Sequence, residues 1–247
     1  MKLRKTKIQN LIERIRTYRD WWKVIPPFNK FYNRVSEHSV TLRTGTIMHI
    51  RDIFGYDLSI LLHEIFTQDT YHLRDLILSE HAVVFDVGAH IGAFSAAVHA
   101  KYKDAVITAF EPHPGNFTFL QKNAPFARCI NKAVAGSAGT VYLGDHKAST
   151  SYSLGDSGIA VEAVTLGSYV TQVPHVDLLK VDVEGTERNI FENFEPDMLK
   201  KVDRIFMEIH PPHKEEWFIS FFEKAGFKAS FENDILFAVR EGEAIAL

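Results

Sequence analysis

The stretch AVVFDVGAHIG, residues 82–92, decides how this sequence folds. Its apolar, β-branched run Val83–Phe85 predicts a buried strand that ends at Asp86. The small-residue turn Gly88–Gly92 then opens a predicted helix over 93–102, which has an apolar side of alanine, valine and phenylalanine. Glycine lets the backbone approach a ligand closely, and a helix start offers free N–H groups. This unit of strand, turn and helix therefore predicts a nucleotide-binding α/β fold.

A carboxylate after the next strand indicates the class of ligand. The strand predicted over 106–110 ends at Glu111, about twenty residues beyond the glycine turn, where a carboxylate holds a ribose diol. Dinucleotide and S-adenosylmethionine proteins share that feature. Asp86 separates them, because it would repel a diphosphate but would accept a hydrogen bond from a cationic amino-acid group. The sequence thus favours S-adenosylmethionine, and a tight turn without a ligand is the structural alternative.

Two residues outside this unit are predicted to approach the cofactor. Tyr71 precedes the first strand and is placed to lie over the glycine turn, although an aromatic side chain that covers the core is an equal alternative. Ala133 lies in the turn after a third predicted strand, 127–130, beside the expected adenine.

Length and composition limit the organisation of the chain. Its 247 residues, 46% of them hydrophobic, suit one α/β domain with an appendage. We expect an accessory helix and hairpin over 1–54 and the cofactor-binding domain over 55–247. A single cysteine, no signal-peptide core and no apolar run of membrane length indicate a cytoplasmic protein. The net charge of −3 predicts no nucleic-acid partner.

The N-terminal segment is basic and amphipathic. Residues 1–24 carry apolar side chains at helical spacing among lysines and arginines, and they predict a helix that Pro26 ends. Such a helix can contact an anionic membrane or an acidic partner, or it can pack on the domain or on a second subunit of a homo-oligomer. Thr44 and Gly45, between two alternating segments, predict a hairpin over 39–51.

The later elements indicate the fold class. Helices and strands alternate up to a strand predicted over 204–210, and the chain closes with a hairpin of strands 227–232 and 235–240. This order predicts the Rossmann-like α/β fold of class I methyltransferases, a seven-stranded, mainly parallel sheet with one antiparallel edge strand. A dinucleotide dehydrogenase would more often continue to six parallel strands.

Charged side chains lie at the ends of the later strands. Lys180 and Asp182 alternate in the buried strand HVDLLKVDV, so they share a face, and Glu184 follows them. Glu208 and His210 end the next strand. Because the carboxyl ends of parallel strands form one edge, we expect all five at the cofactor edge. A buried ion pair of Lys180 with Asp182 or Glu208 is the structural alternative.

Methyl transfer from a sulfonium to a hydroxyl gives these groups a chemical role. The protein must align the reacting atoms and remove the proton of a weakly acidic hydroxyl. His210 is the side chain whose usual pKa suits a base near neutral pH. Alternatively, Asp182, Glu208 and Glu184 hold Mg²⁺ or Mn²⁺, which lowers the pKa of the acceptor. We predict catalytic roles for Asp182, His210, Lys180 and Glu208.

Four segments in this order resemble the FkbM family of S-adenosylmethionine-dependent methyltransferases. They are VVFDVGAHIGAFS, AFEPHPGNFTFL, LLKVDVEGTE and RIFMEIH, and the resemblance covers residues 55–210. It implies a class I methyltransferase fold and O-methylation, typically of sugar or secondary-metabolite hydroxyls. The resemblance places the cofactor at Asp86, Gly88, Ala89, Gly92 and Glu111, and the reaction face at Lys180, Asp182, Glu184, Glu187 and Glu208.

One position of the turn departs from that family. His90 stands where members often have asparagine, and it keeps the ability to donate a hydrogen bond to the cofactor. Together with Pro112, Tyr71 and Ala133, His90 completes the predicted cofactor set.

We therefore expect an S-adenosylmethionine-dependent O-methyltransferase that acts on a sugar or a glycosylated small molecule. Two alternatives stay open at this point. One is a nicotinamide-dependent oxidoreductase on a Rossmann-like fold, and the other is a non-catalytic module that anchors through its basic N-terminal helix.

Overall fold

The computed structural model describes residues 7–24, 37–50, 61–144, 154–155, 157–210, 215–232 and 234–242. The chain forms two compact units, Met1–Arg74 and Asp75–Leu247. The boundary predicted after residue 54 lies outside the described residues, and the segment 61–74 belongs to the first unit. Within the described ranges, no helix has both the length and the apolar character needed to cross a bilayer.

The first unit contains a helix, a hairpin and a π-helical segment. Its elements are α1 (Lys7–Thr17), a 3-10 helix (Trp21–Val24), β1 (His38–Thr41), β2 (Ile47–Ile50) and a π-helix (His63–Gln68). β1 and β2 pair antiparallel, as the hairpin prediction required. The predicted N-terminal helix ends early, at Thr17, because the next backbone pairs with the hairpin: the Arg19 N–H donates to the Thr41 carbonyl oxygen at 2.8 Å. Residues 1–6 of that prediction lie outside the described part.

Buried Tyr18 ties α1 to the π-helical segment. Its hydroxyl donates to the Leu62 carbonyl oxygen at 2.8 Å, and only 1% of the residue is exposed. Burial raises the pKa of Tyr18 to about 12, so the phenol stays protonated and remains a donor.

The second unit holds the remaining strands and helices. The strands are β3 (Val83–Val87), β4 (Val106–Phe110), β5 (Arg128–Ile130), β6 (Ala133–Val134), β7 (Gly139–Leu143), β8 (Leu154–Gly155), β9 (Ile159–Val164), β10 (Leu178–Val181), β11 (Arg204–Glu208), β12 (Phe227–Glu232) and β13 (Ile235–Arg240). The helices are α2 (Ala93–Lys101), α3 (Pro114–Asn123), α4 (Gly167–Val170), α5 (Glu187–Glu192), α6 (Pro196–Leu199) and α7 (Glu215–Lys224).

Seven of these strands form the main sheet, in the order β12-β13-β11-β10-β3-β4-β5. The pairs among β11, β10, β3, β4 and β5 are parallel, and β13 is antiparallel to both of its neighbours. This arrangement confirms the predicted α/β class I methyltransferase fold. Helices α5 and α7 pack beside the sheet, where Phe191 and Phe222 meet edge to face with ring centroids 5.0 Å apart.

The position of the reversed strand differs from the prediction. The reversed strand is β13, and it lies between β11 and β12, one strand in from the edge. The apolar run Ile235–Val239 explains this position, since all five residues are buried, as in a central strand. In β12 only Phe227 is buried, and exposed Lys228 and Ser230 alternate with partly buried neighbours, which suits the edge.

A second, four-stranded sheet follows the parallel half of the main sheet, in the order β6-β9-β7-β8. β7 pairs antiparallel with β8 and β9. Ala133 lies in β6, so its methyl group is buried in this small sheet against Ala135 and Ala163.

Gly88 is required by the packing of two strand ends. It has a φ of +78°, and a Cβ built on it would lie 1.7 Å from the backbone oxygen of Asp182. We expected glycine here for the approach of a ligand. The described chain adds a second requirement, because the backbone after β10 occupies the space of a side chain at this position. The approach of a ligand at Gly88 stays a prediction.

We expect Gly88→Ala to lower the free energy of unfolding by at least about 3 kcal/mol, because the strand ends must separate to admit a methyl group. The matched control is Gly242→Ala, since Gly242 also has a positive φ, +100°, but nothing lies within 4 Å of its built Cβ. That control should lose only about 1 to 2 kcal/mol. Urea denaturation of both variants makes the comparison, and equal losses would show that the clash is absorbed.

Candidate active site

The carboxyl ends of four neighbouring strands form the candidate site. β11, β10, β3 and β4 lie side by side and parallel, so their ends meet at one edge. The register pairs Lys180 with Asp86, and the Asp182 N–H donates to the Val87 carbonyl oxygen at 3.0 Å. At or just beyond this edge lie the predicted residues Asp86, Glu111, Lys180, Asp182, Glu184, Glu208 and His210.

The glycine turn after β3 is fastened to the end of β4. The N–H groups of Gly88 and Ala89 both donate to the Phe110 carbonyl oxygen, at 3.0 and 2.8 Å. His90 adopts a left-handed backbone conformation with a φ of 51°, and its N–H donates to Glu111 Oε2 at 2.9 Å. The backbone of His90 thus orients the carboxylate that we predict to hold the ribose.

Glu111 is a buried carboxylate surrounded by donors. Its Oε1 accepts from the His113 N–H at 2.9 Å and from Asn116 Nδ2 at 3.4 Å. Burial raises the pKa of Glu111 to about 7, and the hydrogen bonds from His113 and His90 oppose that rise. Asn116 was not foreseen. Its polar side chain in the first turn of α3 is the signal that could have revealed it.

Lys180 connects the ends of β3 and β10. Its Nζ donates to the Gly88 carbonyl oxygen at 2.7 Å and lies 3.3 Å from Asp182 Oδ2 and 3.5 Å from Asp86 Oδ1. Burial alone would lower the pKa of Lys180, but the charges of Asp182 and Asp86 outweigh it and raise that pKa. The buried ion pair foreseen as the structural alternative is therefore present, with Asp86 as an additional partner.

Asp86 is buried in β3, just before the glycine turn. None of its surface is exposed, and its Oδ2 accepts from Ser95 Oγ at 2.6 Å. That Asp86 accepts a hydrogen bond from a cofactor stays a prediction, since its neighbours in the described chain are Ser95 and Lys180. Ser95 was missed in the sequence, although a hydroxyl among the alanines of buried α2 is a recognisable signal.

His210 lies in an acidic cluster. Its Nδ1 is 2.8 Å from Oε1 of the fully buried Glu187, while its Nε2 is 3.3 Å from Glu184 Oε2, 3.7 Å from Glu208 Oε1 and 4.0 Å from Asp182 Oδ1. Burial alone would lower the pKa of His210. The hydrogen bond to Glu187 and the charges of Asp182 and Glu184 prevail and raise that pKa to about 9.

This pKa changes the role expected of His210. The prediction of a base near neutral pH requires an imidazole that is neutral there, whereas the neighbours of His210 favour its protonated form. The role of His210 as the base stays a prediction, and it requires the ring to lose a proton that the surrounding carboxylates stabilise.

Three side chains of the cluster form a set that suits a metal ion. Within the described residues, Asp182, Glu184 and His210 each offer a ligand atom, and these atoms lie within 4.8 Å of one another. Glu208 of the predicted set lies 3.7 Å from His210 Nε2, and its role as a ligand stays a prediction. The contact of Glu187 with Nδ1 would leave Nε2 facing the ion, as in other metal sites that contain histidine.

The remaining predicted cofactor residues lie around this edge. Pro112 follows Glu111, and its carbonyl oxygen accepts from Asn131 Nδ2 at 3.0 Å. The side chain of Ala133 belongs to the core of the small sheet. Tyr71 is 4% exposed and belongs to the first unit, so its contact with the cofactor stays a prediction.

Comparison with known proteins identifies relatives. Residues 86–236 match the family described as the Methyltransferase FkbM domain. The 31-O-demethyl-FK506 methyltransferase FkbM of Streptomyces tacrolimicus is 26% identical, over 83% of this chain and 95% of that protein. The hexuronic acid methyltransferase AglP of Haloferax volcanii is 27% identical, over 69% of this chain and 79% of that protein. A crystal structure of Methyltransferase FkbM from Methylobacillus flagellatus covers 66% of this chain and 44% of its own, with 11% identity and a TM-score of 0.48.

We expect the His210 ring to titrate near pH 9 in the folded protein, as followed by NMR of the ring carbons. The folded pKa exceeds the unfolded value of 6.5, so the stabilisation by protonated His210 is complete below about pH 6.5 and is lost as the pH rises through about 9. The stability difference between the wild type and His210→Gln should accordingly shrink over that interval.

The cause of that shift can be tested separately. Glu187→Gln should move the titration of His210 back towards the ordinary histidine value, because the charged partner of Nδ1 is removed. His175→Gln is the matched control, since His175 pairs with Asp203 and not with this cluster. An unchanged pKa of His210 in Glu187→Gln would contradict the assigned cause.

Proposed function

The chain belongs to the FkbM family of methyltransferases, and we propose that it transfers the methyl group of S-adenosylmethionine to a hydroxyl of a sugar or a glycosylated small molecule. The family sets aside the nicotinamide-dependent oxidoreductase that the sequence alone left open. It also favours an enzyme over a module that only anchors through the N-terminal helix.

Glu111 is the observation that carries the assignment of the cofactor. Backbone and side-chain donors orient its two oxygens at the end of the strand beside the glycine turn. A ribose diol would add two donors to this carboxylate, one for each oxygen. Such donors offset the burial of the charge, which is otherwise only partly compensated.

The acceptor is proposed from the chemistry of the cluster and from the relatives. Charged groups at the ends of β10 and β11 supply donors and acceptors that suit a polyhydroxylated molecule. One relative is named as a hexuronic acid methyltransferase and another as a 31-O-demethyl-FK506 methyltransferase, which supports transfer to oxygen.

Removal of the hydroxyl proton has two possible routes in this cluster. In the first, Asp182 orients the hydroxyl and accepts its proton as the methyl group leaves sulfur. In the second, Asp182, Glu184 and His210 would hold Mn²⁺ or Mg²⁺, which would make the hydroxyl more acidic. A proton and a metal ion compete for Nε2 of His210, so the second route requires that the ring be deprotonated.

We expect S-adenosylhomocysteine to bind more tightly as the pH rises from about 6 to about 8 in calorimetric titrations, because ribose donors favour the ionised form of Glu111. Glu111→Gln should weaken binding by about tenfold or more and abolish this pH dependence. Glu80→Gln, an exposed glutamate before β3, is the control and should behave like the wild type. Binding of NADH in place of S-adenosylhomocysteine would refute the proposed cofactor.

We expect Asp182→Asn to lower turnover by at least about 100-fold and to leave the affinity for S-adenosylhomocysteine nearly unchanged, since Asp182 acts on the acceptor in both routes. Transfer of labelled methyl groups to a panel of hexoses and hexuronic acids provides the assay, and Asp197→Asn on an exposed ion pair is the control. Activity that EDTA removes and Mn²⁺ restores selects the metal route, while indifference to EDTA selects the carboxylate route. Full turnover in Asp182→Asn would exclude both.

A further inference from the structure

A cavity in the first unit is lined by arginines and plays no part in the proposed reaction. It has a volume of about 410 Å³, and we call it the arginine cavity after Arg16, Arg43 and Arg74. These residues come from α1, from the turn of the β1–β2 hairpin and from the segment after the π-helix. Three separate parts of the fold thus bring a cation to the same cavity.

Backbone carbonyls hold two of the guanidinium groups in place. Arg43 Nε donates to the Ile15 carbonyl oxygen at 2.6 Å. One terminal nitrogen of Arg74 donates to the carbonyl oxygens of Phe66 and Thr67, at 2.9 and 3.0 Å. A guanidinium has five N–H donors, so these anchors fix the planes while leaving Arg43 donors for a ligand. Fixed donors lose less entropy when a ligand binds.

The charge of the cavity lining is unbalanced. The described lining residues include three arginines and one carboxylate, that of Glu13, and Arg74 Nε also lies 4.0 Å from Asp69 Oδ2. Arginine does not lose its proton at any physiological pH, so a net positive charge persists at the cavity. A bound anion would balance this charge and would accept hydrogen bonds from several directions.

The shape of the lining favours phosphate over a carboxylate. A carboxylate presents two oxygens in one plane, whereas a phosphate presents oxygens in a tetrahedron that can meet guanidinium groups from three elements. The volume also lies within the range of small-molecule sites and exceeds the need of one inorganic ion. We propose that the arginine cavity binds the phosphate groups of a soluble phosphorylated small molecule.

Calorimetric titration of the full chain with inorganic pyrophosphate tests this proposal. We expect saturable binding with one site per chain, weakened at least about tenfold in Arg16→Gln and in Arg43→Gln. The matched control is Arg19→Gln, because Arg19 is an exposed arginine of the same segment that does not line the cavity. Absence of saturable binding overturns the proposal, as does an equal loss in the control.

Two further measurements keep the test decisive. Arg16 is exposed, and in the described residues no hydrogen bond depends on its side chain, so Arg16→Gln should unfold at the wild-type temperature even if Arg43→Gln does not fold.

Phospholipid headgroups also carry phosphate, so binding to vesicles of phosphatidylglycerol is measured as a second experiment. Binding to vesicles that requires Arg16, without binding to pyrophosphate or glucose 1-phosphate, overturns the soluble ligand.

The proposal is independent of the methyl-transfer assignment. Both arginine variants should bind S-adenosylhomocysteine as the wild type does, because Glu111 and the glycine turn belong to the second unit. Loss of pyrophosphate binding with retained S-adenosylhomocysteine binding supports the arginine cavity. Loss of both ligands in Arg16→Gln would indicate general damage and overturn the assignment of the cavity.

Discussion

The buried ammonium of Lys180 is the interaction on which the candidate site depends. It reaches the Gly88 carbonyl oxygen at 2.7 Å and lies between the carboxylates of Asp86 and Asp182. Leaving Lys180 or Asp86 unpaired at such depth costs about 3 to 5 kcal/mol, whereas Asp182 is partly exposed and less dependent on the pair. Lys180 therefore joins the glycine turn, where we propose the cofactor, to the strand end where we propose the acceptor.

Two carboxyl-edge groups have raised pKa values for different physical reasons. The pKa of Glu111 is raised mainly because burial penalises its charge. The pKa of His210 is raised because acidic neighbours outweigh the same penalty. The first group would be stabilised by the donors of the proposed ligand, and the second already has charged partners. The edge thus combines a carboxylate that gains from a ligand with a cation that the protein itself compensates.

Much of this site follows from the sequence, because a parallel sheet brings strand ends together whatever the details of packing. The strand ends at Asp86, Glu111 and Asp182 could be placed in that way. The pairing of side chains could not be predicted from the sequence, since the contact of Ser95 with Asp86 depends on how a helix packs over a strand. The pKa of His210 likewise depends on Glu187, a residue whose position only the folded chain determines.

The fold shows the same division. The order of helices and strands could be predicted from the sequence. The position of β13 inside the sheet could be predicted only by comparing its apolar run Ile235–Val239 with the more exposed β12. Gly88 is the opposite case, because its sequence context suggested a ligand while a neighbouring backbone occupies the space. Sequence patterns thus indicate that a residue is constrained more readily than they identify the atom that constrains it.

The charges at the strand ends are consistent with the proposed reaction as a whole. Methyl transfer from a sulfonium to a hydroxyl yields a neutral thioether, a methyl ether and a proton, so positive charge leaves sulfur and must be accepted nearby. Asp182, Glu184, Glu187 and Glu208 surround His210 and outnumber the two cations of the edge. Such an excess of carboxylates favours the cationic methyl donor and then the released proton. The acidic cluster would in this way keep the charge of the site nearly constant from substrate to product.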